Sequence, residues 1–78
     1  MIGTILKNMR LSANLTQKEL AEKLNLADNT ISSYERENSQ ADFDTILRIA
    51  KICNYEFKII DKNNNLLDIK DMSKEMDF

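Results

Sequence analysis

The chain has 78 residues, of which 42% are hydrophobic and 31% are charged, and its formal net charge is −2 at pH 7. A chain of this length and composition forms one globular hydrophobic core and has no room for a second. Because it contains no histidine and one cysteine, a zinc site and a His-dependent catalytic site are excluded. We therefore expect neither an enzyme nor a bound cofactor.

The single cysteine and the hydropathy of the chain indicate the cellular compartment of the protein. Cys53 has no second cysteine with which to form an internal disulfide, which agrees with a reducing cytoplasm. No apolar run approaches the roughly 20 residues of a membrane span. The N-terminus lacks the charged region and the apolar stretch of a signal peptide. We expect a cytoplasmic protein with no membrane partner.

The charge is unevenly distributed along the chain. Residues 1–36 hold five Lys or Arg against four Asp or Glu, whereas residues 37–78 hold six against nine. A sequence-specific DNA-binding protein needs a basic face rather than a basic total. The slightly basic first half is compatible with DNA, but it predicts modest affinity because few phosphates are neutralised.

The first helix is predicted from its periodicity. Apolar side chains recur at three- and four-residue spacing, which predicts an amphipathic helix over residues 2–13. Asn14 is a suitable residue to end it. The apolar positions are Ile2, Ile5, Leu6, Met9 and Ala13.

The second helix is predicted from local signals at both of its ends. Thr16 and Glu19 have the spacing of a capping box, in which each side chain accepts from the backbone N–H of the other residue. Leu15 and Leu20 flank this box at the positions of a hydrophobic staple. The helix then runs to about residue 24, where Asn25 is expected to take the left-handed conformation that ends a helix.

A third helix follows after two or three residues, with Ile31 and Tyr34 facing inward. A polar run at residues 37–40 ends its periodic pattern. Its outer face is polar. The outward positions are Asp28, Asn29, Ser32, Ser33 and Arg36.

The fourth helix is predicted from Phe43 to about Cys53, with Asp42 as its N-cap and Asn54 as the residue that ends it. Its apolar stripe suggests that Cys53 is a small buried hydrophobe rather than a reactive thiol. The side chains that we expect to be buried are Phe43, Ile46, Leu47, Ile49, Ala50 and Cys53.

Beyond the fourth helix the apolar period changes to two, which predicts a β-hairpin. Tyr55, Phe57 and Ile59 alternate with more polar neighbours, and residues 66–69 form a return strand after a polar turn at residues 61–65. The turn resembles the first half of a calcium loop, but it lacks the Gly and the bidentate Glu of such a loop, so a hairpin turn is favoured. The last nine residues, with Met72, Met76 and Phe78, form either a short helix or a frayed tail.

Residues 16–36 have the features of a helix-turn-helix, two short helices joined by a tight turn. Ala21 is the small residue required where the helices cross, Asn25 tolerates a positive φ, and Leu26, Ile31 and Tyr34 are apolar on the buried side. With LTQKELAEKL at 15–24 and NLADNTISSYER at 25–36, the sequence resembles the Cro/lambda-repressor type helix-turn-helix family, also called the XRE family. The resemblance covers about residues 3–54 and implies a four-helix, mainly α, lambda-repressor-like DNA-binding domain in residues 1–54, followed by a hairpin and tail in 55–78.

Four positions depart from the family pattern. Asn25 and Glu37 stand where Gly is usual, Ala41 stands where Pro is usual, and Ala27 stands where a capping Ser or Thr is usual. The last of these predicts that the cap of the third helix shifts to Asp28, which would remove Asp28 from contact with bases. None of the four breaks the fold.

The resemblance also implies which residues bind double-stranded DNA. The positions that match base contacts in the major groove are Asp28, Asn29, Ser32 and Ser33. Asn29 is the strongest of these, since its amide can pair bidentately with adenine, and Asp28 can accept from a cytosine amine. The positions that match contacts with the DNA backbone are Gln17, Arg36, Asn38 and Ser39. By the same comparison, Arg10 and Glu35 pair with each other between the first and third helices.

We expect the function to be that of a transcriptional regulator, most simply a repressor, that reads a palindromic operator as a homodimer. A two-stranded hairpin is marginal alone, so the hairpin and tail in residues 55–78 are expected to be the dimerisation element, with the fourth helix or the Met-rich tail completing the interface. The alternative is an antitoxin that binds a toxin through its C-terminal part and DNA through the motif. Against it, the chain has no long charged tail that could wrap a toxin.

Overall fold

A computed structural model describes residues 1–68, and within them the chain forms four α-helices followed by two β-strands. The helices are α1 (Ile2–Ser12), α2 (Gln17–Leu24), α3 (Asp28–Glu35) and α4 (Phe43–Ile52), and the strands are β1 (Lys58–Ile60) and β2 (Leu66–Asp68). The predicted mainly α fold with a C-terminal hairpin is confirmed. The expectations for Ile69, Met72, Met76 and Phe78 lie outside the described residues.

The helix ends follow the local signals. Thr16 Oγ1 accepts from the Glu19 N–H at 3.0 Å, and Glu19 Oε1 accepts from the Thr16 N–H at 2.9 Å, so the capping box is confirmed. Asn14, Asn25 and Asn54 have φ values of 58°, 58° and 68°. Asn is one of the few residues other than Gly that adopts this left-handed conformation readily. All three predicted helix terminators are therefore confirmed.

The core lies where the four helices converge. Leu20, Leu24, Ile31 and Ile49 are its largest fully buried side chains. Cys53 is buried beside them, and its burial raises the pKa of the thiol. The prediction that this cysteine is a buried small hydrophobe is confirmed.

Several apolar positions that the sequence predicts to be buried are exposed, because the folded chain does not cover them. Phe43 was expected to be buried, but it is 54% exposed. It is the first residue of α4, and its neighbours Asp42 and Asp44 are exposed as well, so this helix begins at the surface. Ile2 and Ile5 are exposed for a related reason, because α1 turns Leu6 and Met9 toward the core instead.

The hairpin is shorter than predicted. β1 and β2 pair antiparallel, with Ile59 opposite Leu67 and Ile60 opposite Leu66, but β1 begins at Lys58 rather than at Tyr55. The N–H of Tyr55 donates to the carbonyl of Ala50 at 2.8 Å and its hydroxyl lies 2.7 Å from Ser12 Oγ. Residue 55 is therefore bonded to the end of α4 and to α1 rather than to a strand.

The loop between the strands is the turn predicted for residues 61–65. The Asp61 carboxylate accepts from the N–H groups of Asn63 and Asn65 at 2.8 and 2.9 Å. These hydrogen bonds keep the pKa of Asp61 below its usual value. Within residues 1–68, no three acidic or thiol side chains gather as a metal site would require, and none of the described helices has the length and apolarity to cross a membrane.

Candidate nucleic-acid interface

The segment from α2 to α3 has the geometry of a helix-turn-helix. Ala21 is completely buried, and its carbonyl accepts from the Leu26 N–H at 2.9 Å. Asn25, at φ 58° and ψ 43°, reverses the chain between the helices. Leu26 is half-buried against the core. Each residue that the sequence assigned to this turn therefore occupies the expected place.

The expected shift of the α3 cap to Asp28 is wrong. Ala27 is the N-cap, with φ −66° and ψ 149°, and Asp28 is the first helical residue. The tight turn fixes Ala27 as the residue before the helix. Its methyl group offers no hydrogen-bond acceptor to the backbone N–H groups of the first helical turn. Asp28 instead places a carboxylate in the first turn, where it interacts favourably with the positive end of the helix dipole.

The residues predicted to contact bases are not equally available. Asp28 and Asn29 are exposed, whereas Ser32 and Ser33 are half-buried. Ser33 Oγ lies 2.8 Å from Ser39 Oγ in a hydrogen bond. The structure thus joins one predicted base-contacting residue to one predicted backbone-contacting residue.

The loop after α3 is held against the end of that helix. Arg36 is the exposed C-cap residue, and the Asn38 N–H donates to the Ser33 carbonyl at 3.0 Å. Glu37 has φ 60°, which is the left-handed conformation that explains why Gly is usual at this position. Arg36, Asn38 and Ser39 therefore lie together near the C-terminal end of α3.

A buried ion pair joins α1 to α3, as the resemblance implied. Arg10 Nε donates to Glu35 Oε2 at 2.6 Å and Arg10 Nη2 donates to Glu35 Oε1 at 3.0 Å. The two side chains are only 9% and 3% exposed. Arg10 Nη1 also donates to the Leu15 carbonyl at 2.8 Å, so this guanidinium is bonded to the segment before α2 as well.

The same carboxylate holds Gln17, a contact that the sequence analysis missed. Gln17 Nε2 donates to Glu35 Oε1 at 3.0 Å. The two residues are 18 positions apart, and no local motif links them. The sequence analysis also missed a contact made by Arg48. Its Nη2 donates to the Leu24 carbonyl at 3.3 Å, and this hydrogen bond stabilises the C-terminal end of α2.

The electrostatics of this cluster favour an ionised Glu35. Burial is the largest influence on its pKa and raises it, but the hydrogen bonds from Arg10 and Gln17 and the charges of Arg10 and Lys7 together outweigh burial. The pKa of Glu35 therefore lies below its ordinary value. The hydrogen bond to Glu35 in turn raises the pKa of Arg10, against the opposing effect of burial.

The capped α2, the left-handed turn at Asn25 and the polar start of α3 define the class of this protein as a helix-turn-helix protein. A family model described as helix-turn-helix matches residues 6–60, and the chain belongs to this family, in its Cro/lambda-repressor (XRE) type. Among characterised proteins it is similar to the HTH-type transcriptional regulator ImmR of Bacillus subtilis (strain 168), with 45% identity over 53 residues. The match covers 68% of this chain and 42% of that relative, so the chain spans less than half the length of the relative.

Proposed function

We propose that this protein is a transcriptional regulator that binds double-stranded DNA with α3 in the major groove. The observation that carries the proposal is the exposed polar start of α3, Asp28 and Asn29, on a helix-turn-helix of the expected geometry. The similarity to a transcriptional regulator over 53 residues supports it. Since the DNA ligand and the unpaired Cys53 both suit a reducing compartment, we place the protein in the cytoplasm.

Base readout is assigned to the outer face of α3. The Asn29 amide can both donate to and accept from adenine, and the Asp28 carboxylate can accept from the cytosine amine. Ser32 contributes a hydroxyl to the same face. Ser33 is the weakest member of the group, because its hydroxyl already shares a hydrogen bond with Ser39.

Contacts with the DNA backbone are assigned to both ends of the motif. Gln17 lies at the start of α2, where the helix dipole favours a phosphate. Arg36, Asn38 and Ser39 lie at and after the C-terminal end of α3. Such contacts fix the position of α3 in the groove and carry no sequence information themselves.

Dimer formation is assigned to the hairpin. Ile59, Ile60, Leu66 and Leu67 are all 46% to 57% exposed, although they are large aliphatic side chains on a two-stranded sheet that is marginal alone. Pairing with a second copy across a two-fold axis would cover part of this apolar surface. A dimer of this kind reads a palindromic operator whose half-sites lie about 34 Å apart, and occupation of an operator most simply represses transcription.

The dimer is tested by changing or removing the hairpin. We expect Ile60→Lys with Leu66→Lys to produce a monomer in sedimentation measurements, because two buried charges would oppose the pairing. Phe43→Ser removes an exposed apolar side chain outside the hairpin and should leave the dimer intact. A truncation after Asn54 should also be monomeric, and a dimer that persists in either hairpin variant would refute the assignment.

DNA binding is tested by measuring the affinity for selected duplexes at several salt concentrations. We expect Asn29→Ala to cost about 1–3 kcal/mol on the preferred sequence and to relax the preference, with a smaller effect for Ser33→Ala. Gln17→Ala should weaken binding to all sequences equally. Glu56→Gln, an exposed change in the segment before the hairpin, is the control. Equal affinity for all sequences would leave only a non-specific DNA-binding protein.

A further inference from the structure

The carboxylate of Glu35, which lies on α3, bonds to two other helices at once, and one of its partners is a residue assigned to a DNA phosphate. Glu35 lies on α3, its Oε2 accepts from Arg10 on α1, and its Oε1 accepts from both Arg10 and Gln17, the latter on α2. Only 3% of the Glu35 side chain is exposed. Glu35 therefore reaches no DNA itself and can act on binding only through its neighbours.

The contact restrains Gln17 before any ligand arrives. A glutamine side chain loses considerable rotamer freedom when it is held in one conformation. Here the hydrogen bond from Gln17 Nε2 to Glu35 already restricts this side chain in the protein without DNA. Since Nε2 carries two N–H groups, the second can donate to another acceptor.

A carboxylate beside a phosphate site would normally weaken binding through repulsion. In this structure the charge of Glu35 is compensated by Arg10, which donates to both carboxylate oxygens at 2.6 and 3.0 Å. The ion pair can therefore hold the Gln17 amide without presenting an uncompensated negative charge to the DNA backbone.

We propose that Glu35, whose charge is compensated by Arg10, is a positioning residue that holds the Gln17 amide ready for a DNA phosphate. The inference rests on the proposed function, since it concerns the same DNA-binding surface. It gives α1, which carries none of the assigned DNA contacts, an indirect effect on affinity through Arg10, Glu35 and Gln17.

The first experiment is a cycle of DNA affinities. Arg10→Met combined with Glu35→Leu removes the ion pair without leaving a buried charge, a replacement that proteins often tolerate. We expect this paired variant to bind duplex DNA about 3- to 10-fold more weakly, the equivalent of one net hydrogen bond. Gln17→Ala should lose a similar factor, and the combined variant should bind no more weakly than Gln17→Ala alone.

Two results of this cycle would overturn the inference. Wild-type affinity in the paired variant would mean that Gln17 needs no support from Glu35. Losses that multiply in the combined variant would mean that the two sites act independently. Melting curves of all variants identify any loss that comes from unfolding, and Glu56→Gln serves as the neutral control.

The second experiment uses the free wild-type protein and needs neither a variant nor DNA. We expect the side-chain amide signals of Gln17 in NMR spectra to shift as Glu35 titrates, while those of the exposed Gln40 stay constant. If the Gln17 amide signals stay constant as those of Gln40 do, the positioning role is refuted even if the protein binds DNA. If the Gln17 signals respond but wild type binds no duplex DNA, the proposed function fails, and the inference fails with it.

Discussion

Arg10 on α1 and Glu35 at the end of α3 form a bidentate ion pair, with N–O distances of 2.6 and 3.0 Å. Both side chains are almost completely buried, and the guanidinium uses its remaining group to donate to the Leu15 carbonyl. A charge pair in this position costs desolvation energy, which its hydrogen bonds offset only while both partners are present. It therefore links α1 to α3 and to the segment before α2.

Removal of one partner of this pair is expected to be severe. Arg10→Met leaves the Glu35 carboxylate buried without its counter-charge, and we expect the free energy of unfolding to fall by about 3–5 kcal/mol. Lys7→Met removes an exposed lysine from the same helix, and its effect should stay within about 0.5 kcal/mol. Thermal melting of the two variants measures the difference, and equal melting temperatures would contradict it.

The low pKa of Glu35 predicts a loss of stability in acid. Its folded-state pKa is lowered from the ordinary value of 4.5, so the stabilisation is fully present above pH 4.5 and is lost as the pH falls through the folded-state pKa. Denaturant unfolding at a series of pH values between 7 and 3 should show this decline. The paired variant Arg10→Met, Glu35→Leu should show a smaller one, and an identical decline would mean that other carboxyl groups are responsible.

The left-handed conformation of Asn25 predicts opposite effects for two substitutions. Asn25→Ala should lower the free energy of unfolding by about 1 kcal/mol, since a Cβ without a local hydrogen bond is disfavoured at φ 58°. Asn25→Gly should preserve or raise stability, because Gly adopts this conformation without steric cost. Asn8→Ala, at an exposed position within α1, is the matched control and should not destabilise. Equal effects of Ala and Gly at residue 25 would contradict the argument.

Gly3 packs directly against the end of α3. A Cβ at this position would lie 2.5 Å from the Glu35 carbonyl oxygen and 2.7 Å from the Tyr34 carbonyl oxygen. Because these are backbone atoms, α1 must move to relieve the overlap. We expect Gly3→Ala to lower the free energy of unfolding by about 1–3 kcal/mol, with Thr4→Ala, at the exposed neighbouring position, as the control. Equal denaturant midpoints for the two variants would contradict this prediction.

Signals that act within a few residues were predicted correctly from the sequence. The capping box of Thr16 and Glu19 and the terminators Asn14, Asn25 and Asn54 are local geometry, and the chain adopts each of them as expected. The helix-turn-helix could be predicted for the same reason. Its turn depends on one residue that tolerates a positive φ and its crossing depends on one small side chain, and both are identifiable without knowing what surrounds them.

Features that depend on distant neighbours required the tertiary structure. Periodicity placed Phe43 on the apolar stripe of α4, but whether a stripe is covered depends on where the partner helices end. The cap of α3 fell on Ala27 because the preceding turn, rather than the preference for a polar cap, fixes the start of that helix. Likewise, Ser33 has a hydroxyl partner only because the loop folds back to bring Ser39 beside it.

The amino-acid sequence by itself determined the helix-turn-helix, the polar outer face of α3 and the order of the elements, because caps, turns and apolar periodicity act along the chain. Only the tertiary structure decided that Glu35 joins Arg10 to Gln17. These three side chains come from three helices, and a hydrogen bond between helices forms only where packing brings donor and acceptor within about 3 Å. The packing of α1, α2 and α3 around that buried carboxylate therefore connects the stability of this domain to the surface with which we propose it binds DNA.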